Sequence, residues 1–367
     1  MRLLVLTTDA FGGHGGIAKY NSDLLTALCS HPGVDEVVAI PRIVPGPVGR
    51  LPSKLRYEVD GLGGKLRYAR AVLRRLAKRG RFDAVICGHI NLLPFAYAAA
   101  RRHGVPLILF IYGIDAWKRH TRVGGHLVSR CDMIVSISVT TLERFLSWSH
   151  VPASRCRVLP NAFDAGEFGV RPKPEALLTR YGLRGRRVLM TFGRMPGAER
   201  YKGFDEMLRL LTRLASQVPN VSYLLAGDGD DRPRLEALAR SLGVADRVVF
   251  TGRIDEAEKA DHYRLADVYV MPGRGEGFGF VLLEAMACGI PSIASKLDGS
   301  REAVRDGLIG AVVDPDDADA VIAAILAALE KPRHVPDGLD YFSFANFERR
   351  THAIVDETFR AARARSA

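Results

Sequence analysis

The feature that most constrains this chain is a recurring unit: a short apolar run of strand length, bounded by Gly, Pro or Ser, followed by a stretch with helical periodicity. In the first half these runs are "LLVLTT", "EVVAI", "AVICG", "PLILFIY", "MIVSIS" and "RVLP". In the second half they are "RVLMTFG", "YLLAG", "VVFTG", "VYVMP", "PSIAS" and "AVVD". Runs that are apolar throughout belong to strands covered on both faces, the mark of parallel sheets joined by crossover helices. Two such series predict two doubly wound α/β domains.

The length agrees, since 367 residues exceed what one hydrophobic core ordinarily organises. The segment "PNAFDAGEFGVRPKPEALLTRYGLRG" gathers prolines and glycines without a clear strand, so the expected domains are residues 1–165 and 166–345. Residues 346–367 are helical in pattern with no strand after them, and are expected to pack back on the first domain. No apolar run reaches the roughly 18 residues of a membrane span, and the patch in "MRLLVLTTDAFGG" suits a first strand better than a signal peptide. Five cysteines without CxxC spacing point to a reducing cytoplasm, and away from a disulfide or zinc framework.

The net charge of +11 is unevenly spread. Residues 1–163 hold 23 Lys+Arg against 10 Asp+Glu, or +13, and the remainder holds 29 against 31, or −2. The asymmetry implies an acidic partner for the first half. Within it, "KLRYARAVLRRLAKRGR" carries Lys65, Arg67, Arg70, Arg74, Arg75, Lys78, Arg79 and Arg81, with Leu66, Ala69, Val72, Leu73 and Leu76 as an apolar stripe. A basic amphipathic helix can lie on an anionic bilayer; the same stripe also serves a crossover helix whose basic face is solvated. The charge of the whole domain favours membrane contact, with Lys65, Arg67, Arg70, Arg74, Arg75 and Lys78 as candidates. Nucleic acid is disfavoured, because no binding module is recognisable and the aromatics do not interleave with the basic run.

Four motifs carry candidate chemistry. "GRGEGFGFVLLEA" follows the run "VYVMP", and a helix starting near Gly279 would present its first amides and a partial positive charge to an anion or sugar oxygen. Glu276 on the loop could accept from sugar hydroxyls, and Glu284, expected to point outward, from a ribose diol; equally, the pair suits a helix-start charge and a solvated face. In "FGRMPGAERYKGFDEMLRLL", Arg194 and Lys202 flank a loop after a strand, where two cations could neutralise a departing pyrophosphate or simply form a basic surface loop. "FGGHGGIAKY" opens a helix with paired glycines but lacks GxGxxG, and "VVAIPR" lacks the acidic residue of a dinucleotide site, so a dehydrogenase is disfavoured. Asp228-Gly229-Asp230 has the form of a DxD metal site, yet its place before "RPRLEAL" reads as helix capping.

In this order, the "GGHGG" loop, "PNAFD", "FGRM…YKGFDE", "LLAGDGDD", "VVFTGRI", "EGFGFVLLEAMACGIPSIAS" and "DGSREAV" resemble the GT-B retaining glycosyltransferases of the family 4 type. The resemblance implies a GT-B fold, two Rossmann-like doubly wound parallel-sheet domains facing across a cleft. It implies that Arg194 and Lys202 bind the diphosphate of a nucleotide-sugar donor, UDP- or GDP-linked. Glu276 and the amides of Gly277, Phe278, Gly279 and Phe280 would hold the sugar and distal phosphate. Glu284 would take the ribose, Arg253 and Ile254 would meet the base, and Gly15 and Gly16 would close over the donor. Arg194, Lys202 and Glu276 are the expected catalytic set. Transfer would retain configuration without a metal or other cofactor. One departure concerns "YGIDAW", where many relatives have a histidine-led "HGxExW"; Tyr112 and Asp115 become candidates on the acceptor side.

The expectation is a hexosyltransferase on the cytoplasmic face of the membrane, acting on a lipid-linked oligosaccharide acceptor in surface polysaccharide assembly. A same-fold enzyme with a soluble acceptor, of the sucrose- or starch-synthase kind, and a nucleotide-sugar epimerase are the alternatives.

Overall fold

The computed structural model describes residues 1–78, 80–119, 122–164, 166, 168–198 and 200–366. The chain divides into two compact units, Met1–Ala162 with Phe344–Ala367, and Phe163–Ser343. Among the described residues each unit holds one all-parallel sheet, of seven strands in the first and six in the second. No helix among the described residues is long and apolar enough to cross a membrane.

In the first unit the strands are β1 (Arg2–Thr7), β2 (Glu36–Pro41), β3 (Leu55–Tyr57), β4 (Ala84–Cys87), β5 (Leu107–Ile111), β6 (Met133–Ser136) and β7 (Cys156–Val158), in the order β3-β2-β1-β4-β5-β6-β7. The helices are α1 (Gly16–Ser30), α2 (Lys65–Ala77), α3 (Leu93–His103), α4 (Arg122–Val128) and α5 (Val139–Ser149). The second unit has β8 (Arg187–Phe192), β9 (Val221–Ala226), β10 (Val248–Phe250), β11 (Val268–Met271), β12 (Ser292–Ser295) and β13 (Ala311–Val313), in the order β10-β9-β8-β11-β12-β13. Its helices are α6 (Glu175–Arg180), α7 (Phe204–Gln217), α8 (Arg232–Ser241), α9 (Lys259–Leu265), α10 (Phe280–Ala287), α11 (Ser300–Ala303) and α12 (Ala318–Leu329). The last helix, α13 (Phe344–Ser366), belongs to the first unit, where the Phe347 ring meets Tyr20 edge-on at 5.4 Å and Arg157 forks onto Glu357.

The inner strands bury almost every side chain on both faces, as in β4 (AVIC) and β9 (VSYLLA). The covering helices bury one stripe each: α7 turns Met207, Leu208, Leu211 and Leu214 inward, with Asp205 and Glu206 in its first turn to complement the helix dipole. The strand that the apolar runs miss is β3, three residues on the edge beside β2 with Arg56 exposed, too short and too polar to stand out.

Helix α2 departs from the expected stripe. Its inward residues are Tyr68, Val72 and Arg75, while Leu66 and Leu73 are 88% and 64% exposed. Tyr68 wins the inward face by donating its hydroxyl to the Ile40 carbonyl at 3.2 Å. Arg75 lies over the Phe82 ring, 5.1 Å from its centroid, and 3.5 Å from Glu58, so it is not available to a membrane. Lys65, Arg67, Arg70, Arg74 and Lys78 are exposed, and Arg79 lies outside the described residues.

Candidate functional site

In a doubly wound sheet the two halves run outward from a switch point, and the loops leaving the carboxyl ends of the two strands there diverge and leave a crevice. In the second sheet the switch point lies between β8 and β11. Residues 193–203 follow β8 and residues 272–279 follow β11, which brings Arg194, Lys202 and Glu276 to one end of one sheet. The two loops are tied together: the Arg274 amide donates to the Tyr201 carbonyl at 2.8 Å, and Lys202 Nζ reaches Glu276 Oε2 at 2.9 Å. Arg194 is exposed on the same loop.

Glu276 is held from behind. Its amide donates to Asp298 Oδ2 at 2.9 Å, and its carbonyl accepts from the Gly299 amide at 2.9 Å. Asp298 is fully buried, and its Oδ1 accepts from the Ser300 amide at 3.0 Å and the Ser300 hydroxyl at 2.5 Å. Burial pushes the Asp298 carboxyl up, opposed by those hydrogen bonds. Gly299 has to be glycine, because a Cβ there would sit 2.1 Å from the Gly277 carbonyl oxygen. Asp298 is not among the residues expected from the sequence; its signal lies in "LDGSREA", where an Asp two residues before a Ser at a helix start makes an Asx turn.

Helix α10 begins where expected, with Gly279 as its N-cap at φ 90, a left-handed conformation that favours glycine. A Cβ on Gly279 would also meet Leu282 at 2.9 Å, so this glycine answers a need of the fold. Phe278 is buried against Phe342, which leaves only its backbone for a ligand. Arg253 and Ile254 lie in the turn after β10.

Glu284 does not point outward. It is 2% exposed, with Lys259 Nζ 2.7 Å from Oε1 and the Tyr263 hydroxyl donating to Oε2 at 2.6 Å. The physical reason is that α10 is buried on every side from Leu282 to Ala287, so at Glu284 it has no solvated face. Burial raises the Glu284 carboxyl, and Lys259 and Tyr263 work against that rise. Burial likewise disfavours the Lys259 ammonium, but Glu284 and Glu256 outweigh it, so Lys259 holds its proton above its ordinary range. Lys259 also borders a cavity of about 340 Å³, together with Phe168, Glu256, Ala257 and Ala260.

Asp228 and Asp230 do not cap α8. Its N-cap is Asp231, without a side-chain cap bond, and Asp230 instead accepts from the Gly197 amide at 2.8 Å, fastening the loop after β8.

The first sheet has its switch point between β1 and β4. Gly15 caps α1 at φ 87, and no atom lies within 4 Å of where a Cβ would stand on Gly15 or Gly16. Tyr112 does not offer a loose hydroxyl: it is buried and donates to Asn21 Oδ1 at 2.7 Å. Beside it, Asp115 Oδ2 is buried without a hydrogen-bond partner, 3.9 Å from His89 Nε2. His89, which the sequence reading passed over, accepts the Asn91 amide on Nδ1 at 3.1 Å; that leaves the ring proton on Nε2, toward Asp115.

Burial pushes the Asp115 carboxyl from 3.8 up to about 7, opposed by backbone amides of the same turn. The folded protein therefore binds a proton that the unfolded chain has lost, and stability falls as pH rises between about 4 and about 7. At about 1.4 kcal/mol per unit, the Asp115 share is on the order of 4 kcal/mol. Denaturant melts at pH 5 and pH 8 should show the loss, and Asp115→Asn should remove most of it. An unchanged pH dependence in that variant would show that the carboxyl does not titrate on folding.

Two family profiles match the chain: "Glycosyltransferase Family 4" over residues 14–167 and "Glycosyl transferases group 1" over residues 185–338. A "D-inositol 3-phosphate glycosyltransferase" of Thermobispora bispora is 31% identical over 336 residues, 84% of this chain and 75% of that protein. A "GDP-mannose-dependent alpha-(1-6)-phosphatidylinositol monomannoside mannosyltransferase" of Mycolicibacterium smegmatis is 37% identical over 210 residues, 55% of this chain and about half, 54%, of that protein. Among solved structures, sucrose-phosphate synthase from Thermosynechococcus elongatus has a TM-score of 0.78 at 22% identity, covering 98% of this chain and 100% of that one. Anabaena HepE, solved with UDP and glucose, has a TM-score of 0.75 at 20% identity, covering 97% and 100%. The two parallel-sheet units with these structural neighbours are the GT-B fold, and the chain belongs to the family 4, group 1 glycosyltransferases.

Proposed function

We propose that the chain is a retaining hexosyltransferase that moves a sugar from a nucleoside-diphosphate donor to an acceptor hydroxyl, without a metal. The observation that carries this reading is the fastening of the loops after β8 and β11, which sets Lys202 beside Glu276 with Arg194 on the same loop. Negative charge grows on the diphosphate as the sugar–oxygen bond breaks, and fixed cations in a poorly hydrated site stabilise that charge most where it develops. The Arg194 guanidinium offers a planar fork and the Lys202 ammonium a point charge. Glu276 accepts from sugar hydroxyls, and the amides of Gly277 to Phe280 add donors at the start of α10. The leaving diphosphate takes the acceptor proton.

We further propose a lipid-linked acceptor on an anionic membrane. Residues 1–162 and 344–367 hold 28 Lys+Arg against 13 Asp+Glu, or +15, while residues 163–343 hold 24 against 28, or −4. On α2, Leu66, Arg70 and Leu73 share one exposed face, an arrangement in which leucines enter a bilayer surface while arginines meet its phosphates. Mannosyltransferases among the relatives bear names that specify phosphatidylinositol-type acceptors, which agrees. Transfer should yield a product with the donor's anomeric configuration by NMR and should accelerate with anionic vesicles. Leu66→Ser with Leu73→Ser should abolish the vesicle dependence. An inverted product defeats the mechanism, and indifference to vesicles defeats the membrane assignment.

A further inference from the structure

We infer that Arg274 is a positioning residue for the reaction: it braces the loop that carries Glu276 against the helix that follows Lys202, and so sets the spacing of those two groups. The inference rests on the transfer reaction proposed above. Residues 272–279, "PGRGEGFG", hold four glycines. Glycine gives up the most backbone freedom on ordering, so a loop of this composition does not hold a carboxylate in place unaided. Its end toward α10 is fixed by the buried Phe278 ring against Phe342. Its other end is fixed by Arg274. The Arg274 amide donates to the Tyr201 carbonyl at 2.8 Å, Nη1 donates to Glu206 Oε1 at 2.5 Å, and Nη2 donates to Asp316 Oδ1 at 2.5 Å. Tyr201 lies so close over the loop that a Cβ on Gly275 would stand 2.4 Å from its ring.

Glu206 lies in the first turn of α7, close in the chain after Lys202, so the Arg274–Glu206 pair joins the two loops that carry the cation and the carboxylate. The same contacts separate Arg274 from the cations assigned to the diphosphate. Its guanidinium is shared between two carboxylates, a cluster of net negative charge that offers a phosphate no attraction. Exposure ranks the two partners. Asp316 is 67% exposed, and an ion pair so well hydrated contributes little. Glu206 is 25% exposed, and its Oε2 is buried without a hydrogen-bond partner. Most of the bracing therefore comes from Glu206. Without Arg274 that carboxylate loses its counter-ion in a poorly hydrated place, and the loop must shift to let water reach it. A displacement of about 1 Å at a catalytic group is enough to lower a rate by about a hundredfold.

The test compares Arg274→Met, Glu206→Gln and Asp316→Asn in the full-length protein. Turnover is read as release of nucleoside diphosphate from UDP-glucose or GDP-mannose with phosphatidylinositol vesicles present, and binding of UDP and GDP by isothermal titration. Arg274→Met should lower kcat by about tenfold to a hundredfold. Its affinity for the nucleoside diphosphate should change by less than about threefold, since Arg194 and Lys202 remain on a loop that Asp230 fastens separately. Glu206→Gln, which keeps a neutral hydrogen bond, should lower kcat less, and adding it to Arg274→Met should bring no further loss, because the contact is already gone. Asp316→Asn should stay within about fivefold of wild type. Arg274→Lys, which can still reach Glu206, should recover part of the lost kcat. Amide exchange over residues 273–278 should quicken in Arg274→Met and not in Asp316→Asn, a readout independent of turnover. A wild-type kcat in folded Arg274→Met, additive losses in the double variant, or a nucleotide affinity that falls in parallel with kcat overturns the positioning role and leaves the transferase reading in place. A wild type that binds neither GDP nor UDP overturns the transferase reading instead. The brace is then judged by amide exchange alone, and exchange unchanged in Arg274→Met overturns it.

Discussion

Lys202→Ala is expected to lower kcat/KM for sugar transfer by about 10²–10³-fold, the usual effect of removing one fixed group that stabilises transition-state charge. Two consequences of the geometry act in the same direction. On the proposed function the diphosphate loses a cation, and Glu276, 2.9 Å from the missing ammonium, is left as an uncompensated negative charge facing the same anion. The loss should fall on kcat as much as on KM, because the charge on the leaving diphosphate is greatest in the transition state. Lys202→Arg should rescue only in part, because it keeps the charge but replaces a compact ammonium by a planar fork of different reach and geometry. Stability should fall by about 1–3 kcal/mol, since Lys202 and Glu276 are only 15% and 23% exposed and Glu276 loses its partner. Steady-state kinetics at saturating acceptor, with circular dichroism to verify folding, decides the matter. Turnover near wild type in a folded Lys202→Ala protein would remove the diphosphate role.

The two parallel sheets were legible in the sequence because a strand buried on both faces has no polar alternation, and the runs from "LLVLTT" to "AVVD" are apolar throughout. What escaped was local and short: β3, an edge strand of three residues with an exposed Arg56, carries too little apolar signal. On α2 the periodicity was plain but its phase was not, since Tyr68 and Arg75 have polar ends that find the Ile40 carbonyl and Glu58 only after folding. The fastening of the loops after β8 and β11 has a similar origin. Glu276 stood out as a carboxylate among glycines, whereas Asp298, which holds its backbone, lies 22 residues further on, and nothing in the spacing links the two. Glu284 shows the limit most clearly. Its position two turns into α10 was visible, but its partners, Lys259 and Tyr263, come from α9, and only packing brings them together.

That packing makes Glu284→Ala the variant with the largest expected effect on stability, and it requires a control before any activity loss is interpreted. Removing the carboxylate strands Lys259, which is largely buried and would keep only the exposed Glu256 as a partner. Breaking a buried pair from one side costs about 3–5 kcal/mol, and the orphaned Tyr263 hydroxyl adds to it. Replacing both partners with apolar side chains of similar volume is far milder, because the desolvation of both charges disappears together. The double variant Glu284→Leu with Lys259→Met should therefore recover to within about 1–3 kcal/mol of wild type in denaturant melts, the remainder being the buried Tyr263 hydroxyl, which still lacks its acceptor. Affinity for nucleoside diphosphates should not recover with it: if Glu284 takes the ribose hydroxyls through lone pairs not used by Lys259 and Tyr263, both the single and the double variant lose about tenfold or more. Stability and binding are thus expected to part in the double variant. A double variant that binds nucleotide as wild type does would mean that Glu284 is a structural partner of Lys259 and nothing more, and the ribose would have to be sought elsewhere along α9 and α10.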